Sequence, residues 1–215
     1  MKKKYIGMAW PSDGLNDSEY WKNLPKNFEL LISRYKVSGS LKPNILKKEA
    51  NLKRISRSLE TLNLKKINIL ILCDFASSVL NKDYIEKSQL YFKKKFNLPC
   101  INIVSSTLNF IENRKKNISI ISPYNKIITK KFLSLIKDKS RISSISNLSF
   151  NSEEEIDDTK SFLKKLKLNT YKNDLLFIGG GITISTFSKF YKNKYGYNVY
   201  SSPIILIDDV VTLLR

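Results

Sequence analysis

The sequence contains no histidine, and only two of its 215 residues are cysteine. The absence of histidine excludes Ser-His-Asp triads and histidine-based metal sites, so any acid or base must come from Cys, Asp, Glu, Lys, Tyr or bound water. Cys73 and Cys100 each adjoin an apolar, strand-like run and do not make a disulfide framework or a metal-ligand cluster. We therefore expect a protein of a reducing compartment.

Long apolar runs are also lacking. No segment approaches the roughly 20 apolar residues of a membrane span, and no apolar run of signal-peptide length follows the basic residues 2–4. We expect a soluble, cytoplasmic protein without a membrane partner. Hydrophobic residues make up 42% and charged residues 27%, a balance typical of globular proteins, and the length allows one large domain or two small ones.

Acidic residues are half as frequent as basic ones, with 19 Asp and Glu against 38 Lys and Arg, so the net charge is +19. Such a charge is compatible with a nucleic-acid partner. The excess is mainly lysine, however, is spread through the chain, and lacks the Arg-aromatic interleaving that stacks bases. We therefore favour a solvated lysine-rich surface, and nucleic-acid binding is the less favoured alternative.

Short β-branched runs alternate with longer amphipathic segments, a pattern that predicts βαβ units and mainly parallel sheets. The predicted strands are residues 5–10, 28–35, 67–73, 100–104, 118–122, 141–145, 175–178 and 204–207. The predicted helices are residues 44–62, 82–96, 107–115, 127–137, 153–166 and 183–194. The fold class is therefore α/β.

The predicted strands fall into two similar halves. The first strand of each half runs into a proline, Pro11 or Pro123, and the third ends in small residues, at 73–78 and 179–183. We predict two pseudo-symmetric Rossmann-like lobes, each a four-stranded sheet flanked by helices: residues 1–105 with the C-terminal segment 208–215, and residues 106–207. The alternative is that proline and glycine mark strand ends, as in any α/β chain.

Candidate site residues lie where ligands of open parallel sheets bind, beyond the carboxyl ends of the strands. Cys73 ends a strand before a turn that leads into a helix, whose dipole would favour a reactive thiolate. The alternative for Cys73 is an inert buried cysteine. The glycines at 179–181 offer backbone N–H groups for a carboxylate or phosphate, or else a tight turn where two backbones approach closely.

Three further residues follow the prolines. Tyr124 can donate a hydrogen bond to a carboxylate, or be a partly exposed amphipathic ring. Ser12 and Asp13 occupy the matching place in the first half, and their alternative role is to cap a helix or turn.

Four motifs, taken in order, resemble the aspartate/glutamate racemase superfamily, especially its arylmalonate decarboxylase and maleate isomerase branch. They are IGMAWP at 6–11, CDFAS at 73–77, ISPYN at 121–125 and IGGGIT at 178–183, and PIILI at 203–207 resembles the last strand of the family. The resemblance covers nearly the whole chain. It implies an enzyme without cofactor or metal that acts, in a cleft between two lobes, at the carbon next to a carboxylate.

The resemblance implies that Cys73 is catalytic, whereas Gly179 falls at or beside the position of a second cysteine. A decarboxylase or cis-trans isomerase with one cysteine is therefore expected, and an amino-acid racemase, which needs a base on each face, is less favoured. Residues nominated to bind a small carboxylate or dicarboxylate are Pro11, Ser12, Asp13, Asp74, Phe75, Ala76, Tyr124, Gly179, Gly180 and Gly181.

Two acidic residues depart from the family pattern. Asp74 replaces a small hydroxyl residue, and Asp13 stands near the asparagine of maleate isomerases. A carboxylate at position 74 repels the substrate unless it is protonated, turned away or paired with lysine. The alternative function is therefore that of a catalytically inactive member that binds an anionic metabolite. Assembly into a homo-oligomer is left open by the sequence.

Overall fold

The structure, a computed structural model, describes residues 2–14, 17–81, 83–152, 155–156, 165–166, 171–185 and 188–215, except the side chain of Phe190. The chain forms two four-stranded sheets in which all strand pairs are parallel. Helices flank both sheets. The α/β class and the two-lobed architecture are therefore confirmed.

The first lobe contains strands β1 to β4 in the order β2-β1-β3-β4. Its strands are β1 (Lys4–Pro11), β2 (Phe28–Tyr35), β3 (Ile69–Leu72) and β4 (Cys100–Asn102). Its helices are α1 (Ser18–Lys22), α2 (Pro43–Glu49), α3 (Leu52–Leu59), α4 (Phe75–Leu80) and α5 (Tyr84–Phe96), with a 3₁₀ turn at Leu64–Lys66.

The second lobe repeats this strand order as β6-β5-β7-β8. Its strands are β5 (Ile118–Ser122), β6 (Ile142–Asn147), β7 (Asp174–Phe177) and β8 (Val199–Ser201). The remaining described helices are α6 (Ile103–Glu112), which joins the two sheets, and α7 (Lys126–Leu135), α8 (Ser188–Tyr195) and α9 (Ser202–Leu214).

The central strands explain the apolar runs of the sequence. Every residue of β3, β5 and β7 is buried, as expected for parallel strands covered by helices on both faces. The register pairs Ala9 with Leu72, so the carboxyl ends of β1 and β3 lie at one edge of the first sheet. In the second sheet, Ile121 pairs with Phe177 in the same way. The two prolines and the two small-residue turns thus occupy matching places.

The predicted strand at residues 204–207 is wrong, because these residues lie in α9 and the edge strand is β8. Ser201 caps α9 by accepting a hydrogen bond from the backbone N–H of Ile204, and Pro203 lies in the first turn. The apolar run resembled a strand because Ile205, Leu206 and Ile207 are all buried, which removes the helical alternation of polar and apolar residues.

Several predicted helix bounds also differ. The predicted helix 44–62 is two helices, since Asn51 starts α3 by accepting from Arg54 N–H. Helix α6 begins at Ile103, inside the predicted fourth strand, because Asn102 caps it by accepting from Val104 N–H. The proposed join of the lobes, at residues 105–106, thus lies within α6. The predicted helix 153–166 lies largely outside the described residues.

The C-terminal helix ties the lobes together. Helix α9 is one continuous element, of which the predicted two-turn segment 208–215 is only the second half, and it packs against α6 and α1. Among the residues that the structure describes, no helix combines the length and the apolar character needed to cross a bilayer.

Candidate functional site

A small cavity lies between the lobes, at the carboxyl ends of the central strands. Its lining includes these residues nominated from the sequence: Pro11, Asp13, Cys73, Asp74, Phe75, Ala76, Tyr124, Gly180 and Gly181. The cavity has a volume of about 30 Å³, room for roughly two water molecules. Sites for small organic ligands are usually about 300 Å³ or larger. The cavity is therefore smaller than such sites usually are.

Cys73 follows the last residue of β3 and is only 2% exposed. Burial raises the pKa of its thiol well above the ordinary value, and the charge of Asp74 raises it further, while a hydrogen bond with Tyr20 lowers it. Burial therefore opposes the thiolate that the dipole of the following helix was expected to favour. Cys73 presents a neutral thiol to the cavity at neutral pH.

Asp74 caps the following helix, α4. Its Oδ1 accepts from the backbone N–H of Ser77 at 3.1 Å, and its Oδ2 accepts from the hydroxyl of Tyr35 at 3.2 Å. Burial raises its pKa to about 6, although the hydrogen bonds from Ser77 and Tyr35 act in the opposite direction. The carboxyl is thus held by the cap, and it is neutral only below about pH 6.

Two further acids line the same cavity. Burial raises the pKa of Asp13, and the nearby charge of Glu49 adds to this effect. The Oδ1 atom of Asp13 is buried without a hydrogen-bond partner, whereas Glu49 Oε1 accepts from Ser38 N–H at 2.6 Å. Together with Asp74, these residues give the cavity an acidic wall. An anionic ligand therefore fits best when some of these carboxyls are protonated.

The glycines after β7 allow the second lobe to approach the first. Gly179 has a φ of +140°, and a Cβ atom there would lie 3.1 Å from the hydroxyl oxygen of Tyr124. A Cβ atom at Gly180 would lie 2.6 Å from the carbonyl oxygen of Cys73. The next described helix begins only at Ser188. The glycines therefore form a tight turn against Cys73, and residues 183–185 do not belong to the predicted helix 183–194.

Tyr124 is the aromatic residue of the second lobe that lines the cavity. Its ring is 2% exposed and stacks on Phe75, with centroids 5.8 Å apart and an interplanar angle of 13°. This contact joins the two lobes, because Phe75 begins α4 and Tyr124 follows β5. The alternative of a partly exposed ring is therefore wrong for Tyr124.

Ser12 does not join the group. Its residue is exposed, and its hydroxyl oxygen accepts from the backbone N–H of Val37 at 3.1 Å, so it supports the turn after β1 instead. Gly179 shapes the turn but does not line the cavity.

Tyr20 and Glu49 are site residues that the sequence did not reveal. Tyr20 is fully buried, donates its hydroxyl to the carbonyl oxygen of Gly180 at 2.9 Å, and lies beside the Cys73 thiol. Its ring meets Trp10 edge to face, with centroids 5.2 Å apart. Both residues lie in ordinary polar helical segments, so only the fold shows that Glu49 lines the cavity and that Tyr20 contacts the adjoining glycine turn.

Acidic side chains and cysteines also raise the question of a metal. Within the described ranges, no group of three His, Cys, Asp or Glu residues is arranged to hold a metal ion.

Comparison with known proteins places this architecture among solved structures. No protein-family model matches the chain, and no curated protein is similar enough in sequence to count as a match. Maleate isomerase Iso from Pseudomonas putida S16 has a TM-score of 0.79 at 12% identity, covering 99% of this chain and 93% of that chain. Maleate cis-trans isomerase from Nocardia farcinica bound to TRIS has a TM-score of 0.78 at 11% identity, covering 98% and 92%.

Unliganded arylmalonate decarboxylase has a TM-score of 0.72 at 14% identity, covering 99% of this chain and 93% of that chain. These similarities extend over nearly the whole length of both partners. The resemblance inferred from the four motifs is thus confirmed as a likeness of fold.

Proposed function

We propose that this chain, which has the fold of maleate isomerase and arylmalonate decarboxylase, is a cofactor-independent enzyme acting next to a carboxylate of a small organic acid. The observation that carries the proposal is the convergence of Cys73, Tyr124 and the glycine turn on one interlobe cavity. In this proposal Cys73 donates a proton to the reacting carbon. The substrate is a small carboxylate or dicarboxylate that enters when the cleft opens.

The protonation state of Cys73 favours a decarboxylase over an isomerase. A similar structure shows Nocardia farcinica maleate cis-trans isomerase with a covalently bound succinylcysteine intermediate. Forming such a bond requires a thiolate, because the thiolate is the nucleophile. Burial raises the pKa of the Cys73 thiol, which keeps it neutral and suited to donate a proton to the carbanion left after loss of CO₂. Isomerisation is therefore the second form of the proposal.

The distribution of cysteine and glycine agrees with a single-acid mechanism. A similar arylmalonate decarboxylase structure is a mutant in which one glycine is replaced by cysteine and one cysteine by serine. The present chain has Cys73 in the lining of the cavity, whereas the turn packed against it, at residues 179–181, is glycine throughout. One thiol protonates one face of a planar intermediate, and this geometry predicts a product of a single hand.

Hydrogen-bond donors are needed to hold the negative charge of that intermediate. In this proposal Tyr124 and the backbone amides of Gly180 and Gly181 supply them, and the carboxyl of Asp74 is protonated when substrate binds. In this proposal the substrate thus contacts both these donors and the thiol.

The test is an activity screen in deuterated buffer with substituted malonates, maleate and amino acids. The proposal predicts decarboxylation with one deuterium at the α-carbon, lost in Cys73→Ala and retained in Cys100→Ala, the matched variant at the other cysteine. Fumarate formed from maleate would instead support the isomerase form. Turnover that persists unchanged in Cys73→Ala contradicts the role of the thiol.

A second candidate function is binding of an anionic metabolite without turnover, which is motivated by Asp74 in the cavity and by glycine at position 179, where the family resemblance would place a second cysteine. Thermal-shift measurements with malonate, maleate and succinate distinguish the two candidates. Stabilisation without turnover of any tested acid supports the binder. The absence of both stabilisation and turnover contradicts both candidates.

A further inference from the structure

The cations of the second lobe gather at one edge of its sheet, the edge opposite the candidate site. The segments that enter β5, β6 and β7 are residues 113–117, 137–141 and 171–173. In the strand register, Ile118 at the start of β5 is paired with the first residue of β6 and with the first residue of β7. The three segments therefore lie next to one another at the amino ends of these parallel strands, whereas the cavity beside Cys73 lies at the carboxyl ends.

These three segments are strongly basic. They contain a single acidic residue, Asp138, and six exposed cationic residues, which we call the basic edge: Lys115, Lys116, Lys137, Lys139, Arg141 and Lys172. The segments that leave the same strands, residues 123–125, 148–152 and 178–182, contain no charged residue. The positive charge that the sequence spreads along the chain is thus concentrated at one edge of this lobe.

The basic edge also lacks direct ion pairs within the part of the chain that the structure describes. None of its six residues forms a salt bridge there. In the first lobe, by contrast, Lys3 pairs with Glu29 and Lys95 pairs with Glu60. The charge of the basic edge is therefore available to an anionic partner.

A second cavity, of about 510 Å³, adjoins the basic edge between α6, β8 and α9. This volume is typical of sites that hold small organic groups. Lys115 and Lys116 belong both to the basic edge and to the lining of this cavity, and Asn109, Asn113 and Asn198 contribute amide groups to the lining. The cavity thus combines cations with neutral hydrogen-bonding groups.

Two aromatic rings form part of the wall of this second cavity. The ring centroids of Phe110 and Tyr200 are 4.9 Å apart, and the guanidinium carbon of Arg114 lies 5.0 and 4.8 Å from them. Asp174 accepts a hydrogen bond from Arg114 Nη2 and so balances its charge. Because Asp209 also lines the cavity, a neutral base fits inside it better than a phosphate does.

We propose that the second lobe binds single-stranded nucleic acid, with backbone phosphates on the basic edge and one base in the second cavity. Lysines bind phosphates of any sequence, and unpaired bases stack on aromatic rings. The linear sequence shows no interleaving of arginine and aromatic residues, but the fold brings Arg114, Phe110 and Tyr200 together. The bases of a duplex are paired and stacked, so only a single strand offers a base to the cavity.

An anionic membrane is the less favoured partner of the basic edge. Protein segments that bind a bilayer surface present apolar side chains for insertion beside their cations. The three segments that carry the basic edge contain no apolar residue except Tyr171. Their composition therefore favours nucleic acid.

The test measures the fluorescence anisotropy of a labelled oligothymidylate of about 12 nucleotides, titrated with the protein at about 50 to 200 mM salt. Each lysine on a phosphate of a single strand adds about 0.7 to the slope of log affinity against log salt. The double variant Lys115→Gln, Lys116→Gln should therefore have a slope smaller by about 1.4. The matched control is Lys65→Gln, Lys66→Gln, because these adjacent exposed lysines precede β3 in the first lobe. The slope of the control should equal that of the parent.

The absence of binding at the lowest salt, or an equal loss of slope in the two double variants, overturns the inference. A second measurement needs no variant. An abasic strand of the same length keeps the phosphates but has no bases, so it should bind about tenfold more weakly than oligothymidylate, with the same slope. Equal affinities of the two strands overturn the placement of a base in the second cavity. Binding to vesicles that contain phosphatidylserine, without binding to the oligothymidylate, also overturns the inference in favour of a membrane partner.

Discussion

Replacement of Asp74 by asparagine should stabilise the protein at pH 8 and leave its stability nearly unchanged at pH 4. Asparagine is as good an N-cap as aspartate, so its side-chain oxygen can still accept from Ser77 N–H. The hydroxyl of Tyr35 can rotate to accept from the new amide group. The main change is therefore the removal of a buried charge.

The magnitude follows from the raised pKa of Asp74. Its pKa of about 6 lies roughly two pH units above the ordinary value of 3.8, which corresponds to about 3 kcal/mol. The folded state binds the proton more tightly than the unfolded state, so Asp74 lowers the free energy of unfolding as the pH rises from about 4 to about 6. Above that range both states are ionised and the cost stays constant.

Urea denaturation of the parent and of Asp74→Asn at pH 4, 5, 6 and 8 measures this difference. The variant should gain up to about 3 kcal/mol at pH 8 relative to the parent. Asp138→Asn is a control of opposite sign, because hydrogen bonds from Ser140 lower the pKa of Asp138, so this variant should lose stability at pH 8. Equal destabilisation by Asp74→Asn at pH 4 and pH 8 would refute the charge-burial argument.

Three further predictions concern the cavity. Gly180→Ala should lower the free energy of unfolding by about 1–3 kcal/mol through overpacking, and it should alter the rate of Cys73 alkylation. Gly196 has a φ of +73° and open space around it. Gly196→Ala should therefore lower the free energy of unfolding by about 1 kcal/mol and leave the alkylation rate unchanged. Chemical denaturation and alkylation rates check both variants. Tyr124→Phe should weaken dicarboxylate binding about tenfold in calorimetry while its melting temperature stays close to that of the parent, because the ring contact with Phe75 remains. Affinity for a dicarboxylate should fall as the pH rises from 5 to 7, since the carboxyl of Asp74 becomes charged, and a pH-independent affinity would contradict this role of Asp74.

The sequence predicted the sheets well because parallel strands covered on both faces carry continuous apolar runs. The same signal misled at residues 204–207, where a fully buried helix has an equally continuous run. Ser201 and Pro203 are residue types that mark the start of a helix. The strand prediction followed the apolar run instead of these two residues. Burial on all sides removes the alternation that distinguishes a helix from a strand.

The sequence nominated candidate-site residues where backbone irregularities mark them, and it missed side chains that come from other elements. Cys73 and the glycines end strands of matching position, so their meeting follows from topology. Glu49 reaches the cavity, and Tyr20 the glycine turn beside it, only through the packing of short helices, which no local pattern records. The ionisation of Cys73 was also beyond the sequence, because burial, and not the helix dipole, dominates its pKa.

The central claim, that the cavity beside Cys73 receives a carboxylate, can be measured without knowing the substrate. Iodoacetate and iodoacetamide are alkylating agents of similar size, and only iodoacetate carries a carboxylate. Mass spectrometry measures both alkylation rates at Cys73 and, in the same molecule, at Cys100. The quantity compared is the rate with iodoacetate divided by the rate with iodoacetamide. We predict a ratio severalfold higher at Cys73, rising as the pH falls toward 6. Equal ratios at the two cysteines would contradict a carboxylate site.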